Sequence, residues 1–272
     1  HVHLSFAKPG DVARGGVTAV LDLGAPADYA FAEHPPVRFR ATGPLLTAPG
    51  GYPTRSWGAN GYGLAVHGPE QARTAVATLA QRGAAMIKVA LHGEPALDED
   101  TLHEIVDAAH ARSVRAVAHA LTVEAVRRAA AAGADALAHT PVEPLPGDVA
   151  AACGRRHMTV ISTVRAFGDG RAARDNLAAL DAAGCTVVYG TDLGNEDVAP
   201  GADPDELRIV AAALGSADAA WRAATSAGAS FAGFDGGCVA EGAPADLVLL
   251  DELDFDALRT PRAVLIGGER VA

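Results

Sequence analysis

Short apolar runs rich in β-branched residues alternate along the chain with alanine-rich stretches of helical period. The runs predict strands at 17–23, 37–45, 85–91, 114–121, 134–140, 159–164 and 186–191. The stretches between them predict helices at 69–82, 98–112, 123–132, 149–157 and 172–183. Gly83, Gly133 and Gly184 follow three of these helices, as C-cap glycines do. Continuous apolar strands alternating with helices imply a parallel sheet covered by helices. If residues 1–5 are the end of a further strand, there are eight units, and the expected fold is α/β, a (β/α)8 TIM barrel. An open doubly wound sheet is the rival. It would normally carry a glycine-rich dinucleotide turn, and no GxGxxG occurs.

The pattern changes toward the end. Helical stretches at 205–214 and 217–231 complete the barrel, and 235–272 carries two short strand patterns, 246–250 and 263–267. Two strands cannot make a stable domain alone. The expected organisation is therefore a barrel over 1–234 and, over 235–272, a small C-terminal β extension that forms part of a β-sandwich. The sequence begins at His1 and not at Met, as a processed, trimmed or partial chain does.

Composition narrows the class of partner. Of 272 residues, 49% are hydrophobic, enough for a core, and no apolar run approaches the roughly 18 residues that span a bilayer. A formal charge of −11 argues against nucleic acid and anionic membranes, which need a basic footprint. Three scattered cysteines and no CxxC suit a reducing compartment, so a cytoplasmic protein is expected. A small-molecule substrate is the expected partner, with a homo-oligomer left open.

The polar residues that interrupt the strands carry the chemistry. His1 and His3 lie on the same side of the first strand. Lys88 is in the fourth, His119 and His139 end the fifth and sixth, and Asp192 follows the eighth. Their intervals are near whole multiples of the roughly 30 residues of a β/α unit, with one short unit between His119 and His139. Catalytic groups of a barrel gather at that end of the strands. Imidazole and carboxylate are ligands for zinc and similar divalent ions, and metal-bound water ionises near neutral pH. Lys88 has donors and no acceptor. Beside cations its neutral amine is favoured, and that amine could add carbon dioxide to give a carbamate able to bridge two metals.

This set resembles the amidohydrolase superfamily, in its binuclear class with a carbamylated lysine. The matching residues are His1-Val2-His3, Lys88, His119, His139 and Asp192, with Gly16–Val20, Asp22-Leu23-Gly24 and the tail Glu241-Gly242-Ala243-Pro244-Ala245-Asp246-Leu247-Val248. The likeness is greatest to the broad imidazolonepropionase- and prolidase-like branch. The resemblance implies that His1, His3 and Asp192 hold a more buried metal, that His119 and His139 hold a more exposed one, and that carbamylated Lys88 and a hydroxide bridge the two. Both are most simply zinc. Asp192 would serve as base and then acid in cleaving an amide-like C–N bond of a dipeptide, an N-acyl amino acid or a cyclic amide. The same centre also suits a lactonase or phosphotriesterase, and some relatives are non-catalytic scaffolds. The family also has upstream sequence that completes the first strand and half of the sandwich.

Five further residues are candidate substrate contacts. Tyr52, Arg55 and Trp57 lie in loop 49–58, which concentrates aromatics in a chain with only 5% of them; the alternative is a surface loop. His92 follows the Lys88 strand, in a loop on the active face. Arg165 could fork onto a substrate carboxylate or be a solvated arginine. His34, His103, His110 and His157 are set aside as surface or packing residues.

Overall fold

A computed structural model describes residues 1–195 and 197–272. Its strands are β1 (Ala19–Asp22), β2 (Arg38–Ala41), β3 (Leu45–Thr47), β4 (Gly63–Ala65), β5 (Met86–Ala90), β6 (Arg115–His119), β7 (Ala136–Leu137), β8 (Thr159–Ile161), β9 (Thr186–Val188), β10 (Leu247–Leu249), β11 (Ala263–Ile266) and β12 (Glu269–Arg270). The helices are α1 (Pro9–Arg14), α2 (Ala27–Ala30), α3 (Gly68–Gln81), α4 (Glu99–His110), α5 (Val123–Ala132), α6 (Gly147–Arg155), α7 (Arg171–Ala182), α8 (Pro204–Ala213), α9 (Ala217–Ala224) and α10 (Ser226–Ala232). Among the described residues no helix is long and apolar enough to cross a membrane.

The fold is mixed α/β around a central parallel sheet of seven strands, in the order β4-β3-β5-β6-β7-β8-β9. β1 and β2 form a separate parallel pair. The N–H of Ala85 donates to Ala41 O at 2.8 Å, which links that pair to the start of β5. The first three residues bond to both sides. Val2 N donates to Leu21 O at 3.1 Å, His3 N donates to Leu193 O at 2.6 Å, and Asp192 N donates to His1 O at 3.0 Å.

Side chains alternate across these strands, as pleating requires. Ile87, Val89, Ala116, Ala118, Val160 and Val187 pack outward with apolar residues of the helices, including Val76, Leu102, Ile105 and Leu177. Met86, Val117, Ile161 and Val188 face the other way and cluster with Leu21, Leu23 and Phe231 of α10. Side-chain cap bonds set the helix starts: Asp98 accepts from Thr101 N, Thr122 from Ala125 N, and Asp203 from Asp205 N and Glu206 N.

Local chemistry moved several boundaries. The strand expected at 37–45 breaks at Thr42-Gly43-Pro44 into β2 and β3, because proline offers no ladder N–H and Gly43 takes a positive φ. The helix expected at 217–231 breaks at Thr225, whose hydroxyl donates to Trp221 O and whose backbone is not helical. β4, within a glycine-rich stretch, was not expected from its pattern. At the C-terminus, β10, β11 and β12 form a three-stranded antiparallel sheet. Gly267 and Gly268, both at positive φ, supply the tight two-residue turn between β11 and β12. An Arg38–Asp246 ion pair joins this sheet to β2.

Candidate metal centre and its cavity

The six residues singled out as metal-related meet at the carboxyl ends of the parallel strands, and all six are buried. Lys88 lies inside β5, opposite Val117 in register, and His119 closes β6 opposite Ala90. His139 follows β7, Asp192 follows β9, and His1 and His3 flank Val2.

Backbone carbonyls fix the imidazoles. His1 Nδ1 lies 2.9 Å from Ala138 O, and His3 Nδ1 lies 2.7 Å from Gly24 O. A carbonyl only accepts, so each Nδ1 carries a proton, and in the neutral ring each Nε2 presents its lone pair. Those Nε2 atoms stand 3.1 and 3.5 Å from Asp192 Oδ1. His139 Nδ1 lies 3.1 Å from Thr163 Oγ1, and His139 Nε2 is 2.9 Å from His119 Nδ1. Asn195 donates to Asp192 Oδ2 at 2.8 Å and to Asp192 O at 2.9 Å. One donor atom each from His1, His139 and Asp192 lies within 4.8 Å of the others.

Burial sets the charge states. His119 and His139 are held well below the ordinary histidine range by desolvation first, with nearby cationic groups adding to it, so both are neutral. Burial brings the Lys88 amine down to about 7, against the opposing pull of Asp192 and Asp22. Among the described residues no carboxylate oxygen comes within 4.0 Å of Lys88, so it is not half of an ion pair.

This donor set fits cations. Three buried polar atoms, His1 Nε2, His119 Nε2 and Asp192 Oδ1, have no hydrogen-bond partner. Such atoms are costly unless something binds them. Lone pairs of His1 and His3 face a carboxylate oxygen, an arrangement that repels unless positive charge lies between. Anchoring of Nδ1 by a carbonyl is also the usual outer support of a metal-binding histidine.

Strand ends also supply residues that the sequence reading did not assign. Asp22, fully buried at the end of β1, accepts from Leu4 N at 2.7 Å and Gly24 N at 2.9 Å, which ties down the His3 turn. Burial raises its pKa, partly countered by His3. Gly24 has no room for a side chain: a Cβ would overlap Leu45 Cδ1 and stand 2.9 Å from His3 Cε1. Glu206 accepts from Val164 N and Arg165 N, both at 2.9 Å, and so holds the loop after β8. Thr163 and Asp192 adopt positive φ, 44° and 55°, unusual for residues other than glycine. Asp22 and Thr163 obey the strand-end rule that singled out the six candidate residues, and that rule could have found them.

Above the cluster lies a cavity of about 260 Å³, lined by His3, Lys88, His119, His139, Asp192 and Asn195 below and by aromatic side chains above. Tyr52 and Trp57 line it, and Trp57 Nε1 donates to Tyr52 Oη at 2.9 Å. Burial raises the Tyr52 pKa, which keeps the phenol neutral. His92 packs behind this wall, with its ring centre 4.9 Å from that of Tyr52 and 5.5 Å from that of His119. Like His92, the other two candidate contacts do not line the cavity. Arg55 is exposed, with its guanidinium beside Gly50. Arg165 pairs with Asp203 at 2.7 Å and with Asp205 at 3.9 Å, because the α8 cap brings those carboxylates to it.

The sequence pattern of the amidohydrolase family matches residues 10–271. A comparison with curated proteins gave no match. Among solved structures, a prolidase complexed with N-methylphosphonate-L-proline aligns with a TM-score of 0.81 at 24% identity, covering 99% of this chain and 84% of that one. A putative prolidase from Bifidobacterium longum aligns at 0.77 and 26% identity, covering 97% and 75%. Ochratoxinase of A. niger aligns at 0.76 and 18%, covering 97% and 73%. With nearly its whole length matched by one family pattern, the chain belongs to the amidohydrolase family.

Proposed function

We propose that this chain is a metal-dependent hydrolase that cleaves an amide-like C–N bond in a small molecule. The observation that carries the reading is the pair of imidazole lone pairs, on His1 and His3, that face the Asp192 carboxylate in a buried setting. His1, His3 and Asp192 would hold one divalent cation and His119 and His139 a second, with Lys88 between them as a carbamate. When bound, zinc or a similar ion supplies Lewis acidity and lowers the pKa of water. Lys88 suits the carbamate because a buried amine with a pKa of about 7 has a substantial neutral fraction near neutral pH. Its lone pair adds to carbon dioxide, and the nitrogen releases a proton.

The protein's own part is positioning and proton transfer. Asn195 donates to Asp192 Oδ2 and so orients the carboxylate that would take a proton from the attacking water. Water adds to the carbonyl carbon, and Asp192 returns the proton to the nitrogen as the C–N bond breaks. The products are a carboxylic acid and an amine. The hydrogen bonds from residues 1–3 to Leu21 and Leu193 support a closed eight-stranded barrel, with His1 and His3 on its first strand. The three-stranded C-terminal sheet fits half of a small sandwich.

Metal analysis of the purified protein is the test, with close to two ions per chain expected. Lys88→Ala should abolish turnover and recover part of it with short carboxylic acids. A metal-free, folded and fully active enzyme would overturn the reading.

A further inference from the structure

Each of three histidines in the cluster has an aromatic ring standing beside it. The Trp57 ring centre is 5.0 Å from that of His3, Tyr52 is 4.9 Å from His119, and Phe167 is 4.8 Å from His139. All three aromatics line the cavity. They form a collar above a polar floor. Phe6 widens the collar, with its ring 6.2 Å from Trp57. Phe6 and Trp57 are 50% and 38% exposed, although large aromatics are usually covered. A contiguous exposed aromatic patch beside buried polar groups marks a binding surface.

The charge around the collar is as informative. Of the cationic side chains on loops of this face, Arg165 is taken up by Asp203 and Asp205, and Arg55 turns to the backbone at Gly50. Lys88 lies at the bottom, among the imidazoles. Among the described residues, the collar side of the cavity offers rings and Leu45, with no guanidinium. A substrate carboxylate there would lose water without gaining an ionic partner. The cavity is also below the roughly 300–1,000 Å³ of pockets for drug-sized ligands.

Resting on the hydrolase reading above, we infer that the collar selects neutral amides bearing one planar apolar group, N-aryl amides above all, and disfavours substrates with a free carboxylate. The scissile carbonyl sits over the histidine cluster, and the ring stacks in the collar. Trp57 and Phe167 set this specificity.

Binding and turnover test it separately, on the metal-loaded protein. The chain has two tryptophans, and Trp221 packs against Phe255 outside the cavity. Trp221→Phe therefore leaves Trp57 as the single reporter. Acetanilide should quench it saturably, and 4-acetamidobenzoate, which adds a ring carboxylate, should bind at least about tenfold more weakly. In turnover, acetanilide should exceed N-methylacetamide in kcat/KM, and Trp57→Leu should cut that advantage by about fivefold. Equal or tighter binding of 4-acetamidobenzoate, no quenching by acetanilide, or an unchanged advantage in Trp57→Leu overturns the inference. Binding without hydrolysis of any amide sustains the collar and breaks the hydrolase reading. Rapid hydrolysis confined to carboxylate-bearing amides does the reverse.

Discussion

Met86 and Lys88 share one strand and one face, separated by a single residue, and meet opposite conditions. Met86 sits among Leu21, Val117, Ile161, Val188 and Phe231, an apolar floor that gains from every contact. Lys88 is equally buried, but its neighbours are imidazoles and carboxylates, and its amine loses most of its affinity for a proton. The floor stabilises the fold. The layer above it costs free energy in the bare protein, because donors and lone pairs are buried without full satisfaction. A fold keeps such a layer only where something binds it, and so the contrast locates the chemistry.

Four experiments can break or sharpen the contrast. The largest effect belongs to the upper layer. Asp192→Asn should lower kcat by about 10²–10⁴ while circular dichroism stays native, since the amide keeps the shape and loses the proton acceptor. A rate within twofold of the parent would remove Asp192 from proton transfer. In the floor, Met86→Ala should cost about 2–5 kcal/mol in urea unfolding and leave KM unchanged, as a cavity opens away from substrate. Lys88→Met should do the opposite in metal-free protein, raising stability by about 1–4 kcal/mol at neutral pH. The sign follows from the amine. Its pKa is 10.5 when unfolded and about 7 when folded, so the unfolded chain binds the extra proton, and parental stability rises with pH between those values. The advantage of the methionine variant should therefore shrink toward pH 10.5, and an advantage constant with pH would refute the account. The smallest effect is expected at Thr163→Val, which deletes the hydroxyl beside His139 Nδ1. Metal affinity should fall about ten- to hundredfold in a competition with a chelator, with little change in melting temperature.

Much of this was legible before any coordinates. Strands 85–91 and 114–121 read correctly because their apolar runs are continuous, and a strand buried on both faces has no other signature. His119 and Lys88 stood out because polar residues inside such runs need a reason. Less local features were not legible. The break at Thr42–Pro44 depends on the positive φ that the fold gives Gly43 ahead of Pro44, and the end of α9 depends on one hydroxyl choosing a carbonyl. Asp22 appeared only as part of a sequence motif, since its bonds to Leu4 and Gly24 need the first residues to fold beside β1. Arg165 was proposed as a carboxylate fork. Its pairing with Asp203 is a long-range matter that residue type could not decide.

The left-handed backbone at Thr163 has a practical consequence. A β-branched residue at φ 44° carries strain on the order of 1–3 kcal/mol, which glycine or asparagine would relieve. A library screened for heat resistance will therefore enrich replacements at that codon. Those winners will have traded their grip on His139 for a higher melting point, so survivors should be sorted by cation content before they are sorted by temperature.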